Sequence, residues 1–344
     1  MLSSINYNKR ALTLGEFAVS LYLKCKGKII KGSILLFLLL ILLYPQASFQ
    51  GASNGLLLWF HTILPTLLPF IILSNLMIRL NITRQISRLF YPVFHKLFDV
   101  TTNGCYPILI GFLSGIPMGA KSTSDLLKDD KITLEEGQFL LTLCNNASPM
   151  FIISYIGISQ LKMPHLRYPL LVILYSSAII AAILYRKTRR LYINKFNKKI
   201  NAQSLSTPLN SRDLSIRFDF DILDNSIMNG FEVITKIGGY IILFSILAQI
   251  VNKLYPLMGI LKPVLMGLLE ITTGINQICN SDIDIKVKIV LISVLTSFGG
   301  LSGMAQTKSV MGDTRLSINN YFIVKIINAI ITLILSILYV TLFL

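Results

Sequence analysis

Charge is scarce in this chain. Asp, Glu, Lys and Arg make up 14% of its 344 residues, against roughly a quarter in soluble domains. Histidine and cysteine are scarcer still, at 3 and 4 residues. Cys25, Cys105, Cys144 and Cys279 stand far apart, and His61, His95 and His165 are isolated. With no C-x-x-C pair and no ligand spacing, neither a zinc site nor a disulfide framework is indicated. The G-x-S-x-G, H-E-x-x-H and Walker A patterns are missing, so nothing couples the chain to ATP. No cofactor and no enzymatic chemistry are expected.

What the chain has instead is apolar length. It is 53% hydrophobic with a mean hydropathy of +0.66. A hydrocarbon core of about 30 Å takes roughly 20 helical residues to cross. Runs near that length fall at about 29–45, 56–79, 104–120, 138–158, 168–185, 233–252, 264–279, 288–304 and 320–343. They are continuous rather than alternating, which selects helices over a transmembrane barrel. The net charge of +16 suits cytoplasmic flanks better than nucleic acid. Its basic residues cluster in an N-terminal arm (Lys9, Arg10, Lys24, Lys26, Lys28, Lys31) and a central linker (Arg186, Lys187, Arg189, Arg190, Lys195, Lys198, Lys199). Both read as inside, and Pro45–Gly55, without Lys or Arg, reads as outside. The run 56–79 then heads inward and 233–252 outward.

The halves on either side of the linker look related. Phe70–Leu73 recurs as Tyr240–Leu243, and Pro92–Thr102 as Pro263–Thr273. Ser114-Gly115 ahead of Lys121 recurs as Ser302-Gly303 ahead of Lys308. With 56–79 and 233–252 opposed, the expectation is an inverted repeat with its site at the repeat interface.

Four segments carry polar or helix-breaking residues at membrane depth. Gly111, Gly115 and Gly119 recur every fourth residue around Ser114 and Pro117, which fits either tight helix packing or a broken helix. Asn145-Asn146-Ala147-Ser148-Pro149 reads as an interhelical hydrogen-bond cluster or as the lining of a polar cavity. Glu270, followed by Thr272, Thr273 and Gly274, reads as a proton or cation group, or as an interfacial acid. Ser297–Gln306, with Gly299, Gly300, Ser302 and Gly303, reads as unwound backbone or close packing.

Together with Gly238–Ser245, Tyr44-Pro45 and Leu64–Phe70, these motifs resemble the YlbJ sporulation integral membrane proteins, in the nucleoside-recognition (Gate) domain group. The resemblance covers about residues 33–340. It implies an all-α polytopic membrane protein of spore formers, with two inverted Gate-type repeats, broken helices or re-entrant hairpins, and about 8–9 membrane segments. The expected organisation is a cytoplasmic arm at 1–32, a first transmembrane half at 33–185, a basic linker at 186–225 and a second half at 226–344. The resemblance also implies a transporter moving dipicolinic acid toward the forespore, in the cell membrane or outer forespore membrane. A nucleoside or cation carrier and a structural sporulation protein are its rivals. The substrate-binding candidates are Ser114, Gly115, Pro117, Asn145, Asn146, Ser148, Pro149, Glu270, Thr272, Thr273, Gly274, Ser302 and Gln306, with Lys121 and Lys308 as electrostatic attractors. Expected partners are the bilayer, a small anion, and further copies or other sporulation membrane proteins; nucleic acid is not among them.

Overall fold

A computed structural model describes residues 31–80, 82–196, 219–254 and 260–344. Most of the N-terminal arm and the middle of the linker, 197–218, lie outside the described residues, as do the expectations placed on them. Among the described residues every regular element is a helix. In chain order these are α1 (Lys31–Leu43), α2 (Pro45–Leu58), a π turn (Trp59–Ile63), α3 (Leu64–Arg79), α4 (Ile82–Phe98), α5 (Cys105–Ser114), α6 (Met118–Lys128), α7 (Leu134–Cys144), a π segment (Phe151–Gln160) and α8 (Arg167–Phe196). The second half supplies α9 (Phe220–Leu254), α10 (Leu261–Leu269), α11 (Ile271–Cys279), α12 (Ile285–Phe298), α13 (Gly300–Met311) and α14 (Ile318–Phe343).

Four stretches are long and apolar enough to cross a bilayer: Pro164–Arg189, Phe220–Leu254, Ile285–Met311 and Ile318–Phe343. A fifth counts if Lys31–Leu43 and Pro45–Ile63, bent by 104°, form one span. That is fewer than the 8–9 segments expected. The difference lies in short helices such as α5, whose 10 residues rise only about 15 Å. They come in pairs, each interrupted at a break, and one such pair, α12/α13, makes up the crossing stretch Ile285–Met311. The linker also shrinks: α8 continues to Phe196 and α9 starts at Phe220, because Arg and Lys extend a helix well past the apolar run.

The element order recurs: a broken pair, a second broken pair, then a long helix. In the first half these are α5/α6, α7/π and α8; in the second, α10/α11, α12/α13 and α14. The sequence match behind the repeat does not follow this order throughout. Pro92–Thr102 falls in α4 and the turn after it, whereas Pro263–Thr273 spans α10, the Glu270 break and the start of α11.

Packing fixes the pairs in place. The α5/α6 hairpin closes on the end of α7: a Cβ on Gly111 would lie 2.1 Å from the Cys144 carbonyl, and one on Gly119 2.2 Å from it. Only glycine permits that approach. The packing and broken-helix readings of this motif therefore both hold. The α10/α11 pair crosses as closely, with a Cβ on Gly274 falling 2.1 Å from Gly267 Cα. Across the halves, Gln138 and Ser317 exchange hydrogen bonds of 2.7 and 3.2 Å, and Thr332 pairs with Ser177 at 2.8 Å. α4 leaves Leu89, Val93 and Leu97 exposed at a spacing of four. That stripe, with Arg88 and Lys96 also exposed, suits an interfacial helix.

Candidate functional site: a cavity between helix breaks

Each break frees backbone groups that lipid cannot satisfy. At the first, α5 ends in Ser114 and α6 starts after Pro117. Gly115 has φ +78° and ψ −161°, a region nearly confined to glycine. Ile116 N–H donates to the Asn146 carbonyl at 2.8 Å, so the first break is stitched to the second. Tyr175 Oη lies 2.7 Å from the Phe112 carbonyl and 3.3 Å from that of Ala147, and ties both to α8.

At the second break α7 ends at Cys144. Pro149 has no N–H to return to the Asn145 carbonyl. Tyr321 Oη on α14 donates to it at 3.2 Å instead. Asn145 Nδ2 donates to Thr307 Oγ1 at 2.7 Å and to Tyr321 Oη at 2.9 Å. Asn146 Nδ2 donates to the Leu143 carbonyl at 2.7 Å, and its Oδ1 accepts from Lys325 Nζ at 3.0 Å. Phe151 N–H, opening the π segment, donates to Ser148 Oγ at 3.2 Å.

At the third break Glu270 is the N-cap of α11. Its carboxylate accepts from Thr272 N–H at 3.2 Å, from Thr273 N–H and Oγ1 at 2.8 Å each, and from the Thr272 hydroxyl. A negative charge at a helix start is favourable, so this buried acid is stabilised by its own helix. At the fourth break Gly299 adopts φ +86°, and α13 starts at Gly300 without a side-chain cap.

A cavity of about 310 Å³ opens where the breaks meet, within the size range of small-molecule sites. Ser114, Ile116, Ser148, Glu270, Thr272, Gly299, Ser302, Gly303 and Gln306 line it, with Thr62 and Ile63 of the first π turn and Phe151, Ser154, Tyr155 and Ser159 of the second π segment. Tyr155 Oη donates to the Thr272 carbonyl at 3.1 Å, binding the second break to the third. Gln306 Nε2 donates to Ser302 Oγ at 3.1 Å. Ser114 Oγ, on a residue 1% exposed, has no hydrogen-bond partner.

Of the residues singled out in the sequence, Ser114, Ser148, Glu270, Thr272, Ser302 and Gln306 share this wall. Asn145 and Asn146 lie behind it, occupied with Tyr321, Thr307 and Lys325. Gly115, Pro117, Pro149, Thr273 and Gly274 shape the breaks without lining the cavity. Lys121 is paired with Asp125 at 2.8 Å and Lys308 is exposed; neither reaches the cavity wall. The sequence reading passed over Lys325, Asn328 and Tyr321, all buried in α14. A lone basic residue inside the apolar run 320–343 was the available signal.

A second hollow of about 230 Å³ lies among Asp99, Thr101, Glu136, Tyr185, Arg186 and Arg189. Arg186 pairs with Asp99 at 3.3 Å, and Thr101 N–H donates to Glu136 Oε1 at 2.6 Å. This cluster ties the turn after α4 to the start of α7 and the basic end of α8.

No family model matches the chain, and no solved structure does. Among curated proteins it is similar to the sporulation integral membrane protein YlbJ of Bacillus subtilis (strain 168). The two are 26% identical over 317 residues, 84% of this chain and 77% of that protein. That similarity supports membership of the YlbJ-like family. The matched length is large enough that the shared region takes in most of both halves of this YlbJ-like chain, not one hairpin. With its apolar helices, that makes it an integral membrane protein.

Proposed function

We propose that this chain is a secondary-type membrane transporter for a small anionic metabolite, foremost dipicolinic acid during sporulation. The observation that carries the reading is the cavity itself, walled by the four breaks, with the unpartnered Ser114 hydroxyl in its lining. The start of α13 supports an anionic cargo. Gly299, Ser302 and Gly303 line the cavity there, no side chain caps the helix, and first-turn N–H groups lack intrahelical partners. Such a terminus favours a carboxylate.

Glu270 adds a negative charge to the wall, but four donors already engage it. It orders α11 in this reading and does not contact the anion. The apolar surfaces of Ile116, Ile237, Ile241 and Phe151 suit the flat ring between two carboxylates. The two halves act as inverted Gate-type repeats that rock around the breaks, with the N-terminus cytoplasmic. The name of the Bacillus subtilis relative supports an activity in the membranes of a sporulating cell. The protein is a carrier in this account and catalyses no bond change.

Purified protein in proteoliposomes, given radiolabelled dipicolinate and uridine side by side, tests the proposal. Saturable dipicolinate uptake that uridine does not compete with is expected. Uridine uptake without dipicolinate uptake would reassign the cargo to nucleosides, and no uptake of either would remove the transport reading.

A further inference from the structure

Lys325 is 2% exposed, in the interior of α14. Among the described residues no carboxylate stands within ion-pair distance of it. Its ammonium donates to Asn146 Oδ1 at 3.0 Å and to the Ser297 carbonyl at 3.3 Å, and lies 5.5 Å from the centre of the Tyr321 ring. Every polar partner is thus a neutral oxygen, and each sits at a helix break. Asn146 follows the end of α7, and Ser297 is in the last turn of α12.

Two features make this shell more than a place to store a lysine. The Ser297 carbonyl lies at the negative end of a helix, where a cation is favoured. It also accepts from Asn328 Nδ2 at 3.3 Å, while Asn328 Oδ1 is buried without a partner. Freed carbonyls and half-helix C-terminal ends are what broken-helix transporters use to hold sodium. Hard cations take such oxygen ligands. Here the positive charge in that setting is covalently attached.

We infer that the Lys325 ammonium is a tethered substitute for a free monovalent cation, filling a site built by Asn146, Ser297 and Asn328. The site closes the second and fourth breaks against α14 without sodium. The inference stands apart from the cargo of the cavity, since it concerns the fold's own cation and is read out without any substrate. Applied to transport, it makes uptake independent of a sodium gradient.

The test is thermal unfolding of the full chain in detergent, in sodium chloride against choline chloride at equal ionic strength. Wild type and Lys325→Arg should melt at the same temperature in both salts. Lys325→Ser opens the shell to a free ion. It should melt lower than wild type in choline and recover by about 3 °C or more in sodium as the ion binds the folded state. A Lys325→Ser protein with the same melting temperature in both salts overturns the inference. Lys325→Met decides the case if Lys325→Ser does not fold. It keeps the volume of the stem, removes the charge and leaves no room for an ion, so it should be less stable than wild type in both salts. Stability equal to wild type overturns the inference as well.

Discussion

Gly115→Ala is the substitution to which this architecture is most sensitive. Two penalties fall on one added methyl group. Gly115 holds φ +78° and ψ −161°, a region that costs a residue with a side chain about 1–3 kcal/mol. The new Cβ would also stand 2.5 Å from Ser148 N and 2.9 Å from its Cα. Both are backbone atoms, so no rotamer change relieves the clash. Relief requires the first and second breaks to part by about 1 Å, with an overpacking cost of about 1–3 kcal/mol. The expected loss is about 2–6 kcal/mol, or a fall in melting temperature on the order of 3–8 °C. Uptake should suffer beyond the stability loss, because Ser114 and Ser148 on either side of the contact line the cavity. Gly239→Ala is the control: a Cβ there meets nothing within 4 Å. In the interior of α9 it should be neutral or stabilising by up to about 1 kcal/mol. Differential scanning fluorimetry on the detergent-purified pair, with parallel uptake, checks both. A Gly115→Ala protein that melts and transports like wild type would refute the claim that the two breaks touch.

Ser114→Ala should leave the melting curve unchanged, since the hydroxyl has no partner to lose. It should weaken anion binding by up to about tenfold, measurable as a higher half-saturation concentration for uptake. Glu270→Gln replaces an acceptor with an amide donor in front of the Thr272 and Thr273 donors. A loss of about 1–2 kcal/mol is expected, seen in thermal unfolding, and dipicolinate should bind no less tightly once unfolding is accounted for. Tyr321→Phe leaves the Asn145 carbonyl and one Asn145 amide hydrogen without their partner. It should cost about 1–3 kcal/mol in the same assay. Gly238→Ala should be destabilising where its neighbour Gly239→Ala is not, because its Cβ would fall 2.6 Å from Trp59 Nε1, which donates to the Ile234 carbonyl at 2.9 Å.

The membrane character of the chain and the places where its helices break were legible in the sequence for a physical reason. Pro117, Asn145, Asn146 and Pro149 stand inside apolar runs where an unpaired polar group is costly, so their presence announces protein-lined backbone. That Ser148 faces the same cavity as Glu270 and Thr272 also follows from the common depth of their segments. The role of Glu270 was harder to see. Glutamate is not a favoured N-cap, and nothing in one dimension reveals that the two threonines after it turn back onto the carboxylate. The π turn at Trp59–Ile63 left no clear trace either, because Pro65 and Pro69 also fit an ordinary kinked helix. The repeat register was misjudged because Pro, Leu and Thr are common at the ends of membrane helices, so α4 and α10 matched in letters while differing in position. Lys325 was readable, since a single charge among aliphatic neighbours in an apolar run has to find polar partners inside the protein.

The central claim is that the breaks enclose a water-accessible pocket for a small anion. Cysteine placed singly at Ser148 or Ser302, in a chain whose Cys25, Cys105, Cys144 and Cys279 are replaced, puts it to the most direct test. The account predicts reaction with a membrane-impermeant thiol reagent from one side, slowed by dipicolinate and not by uridine. Complete protection at both positions from both sides would contradict it.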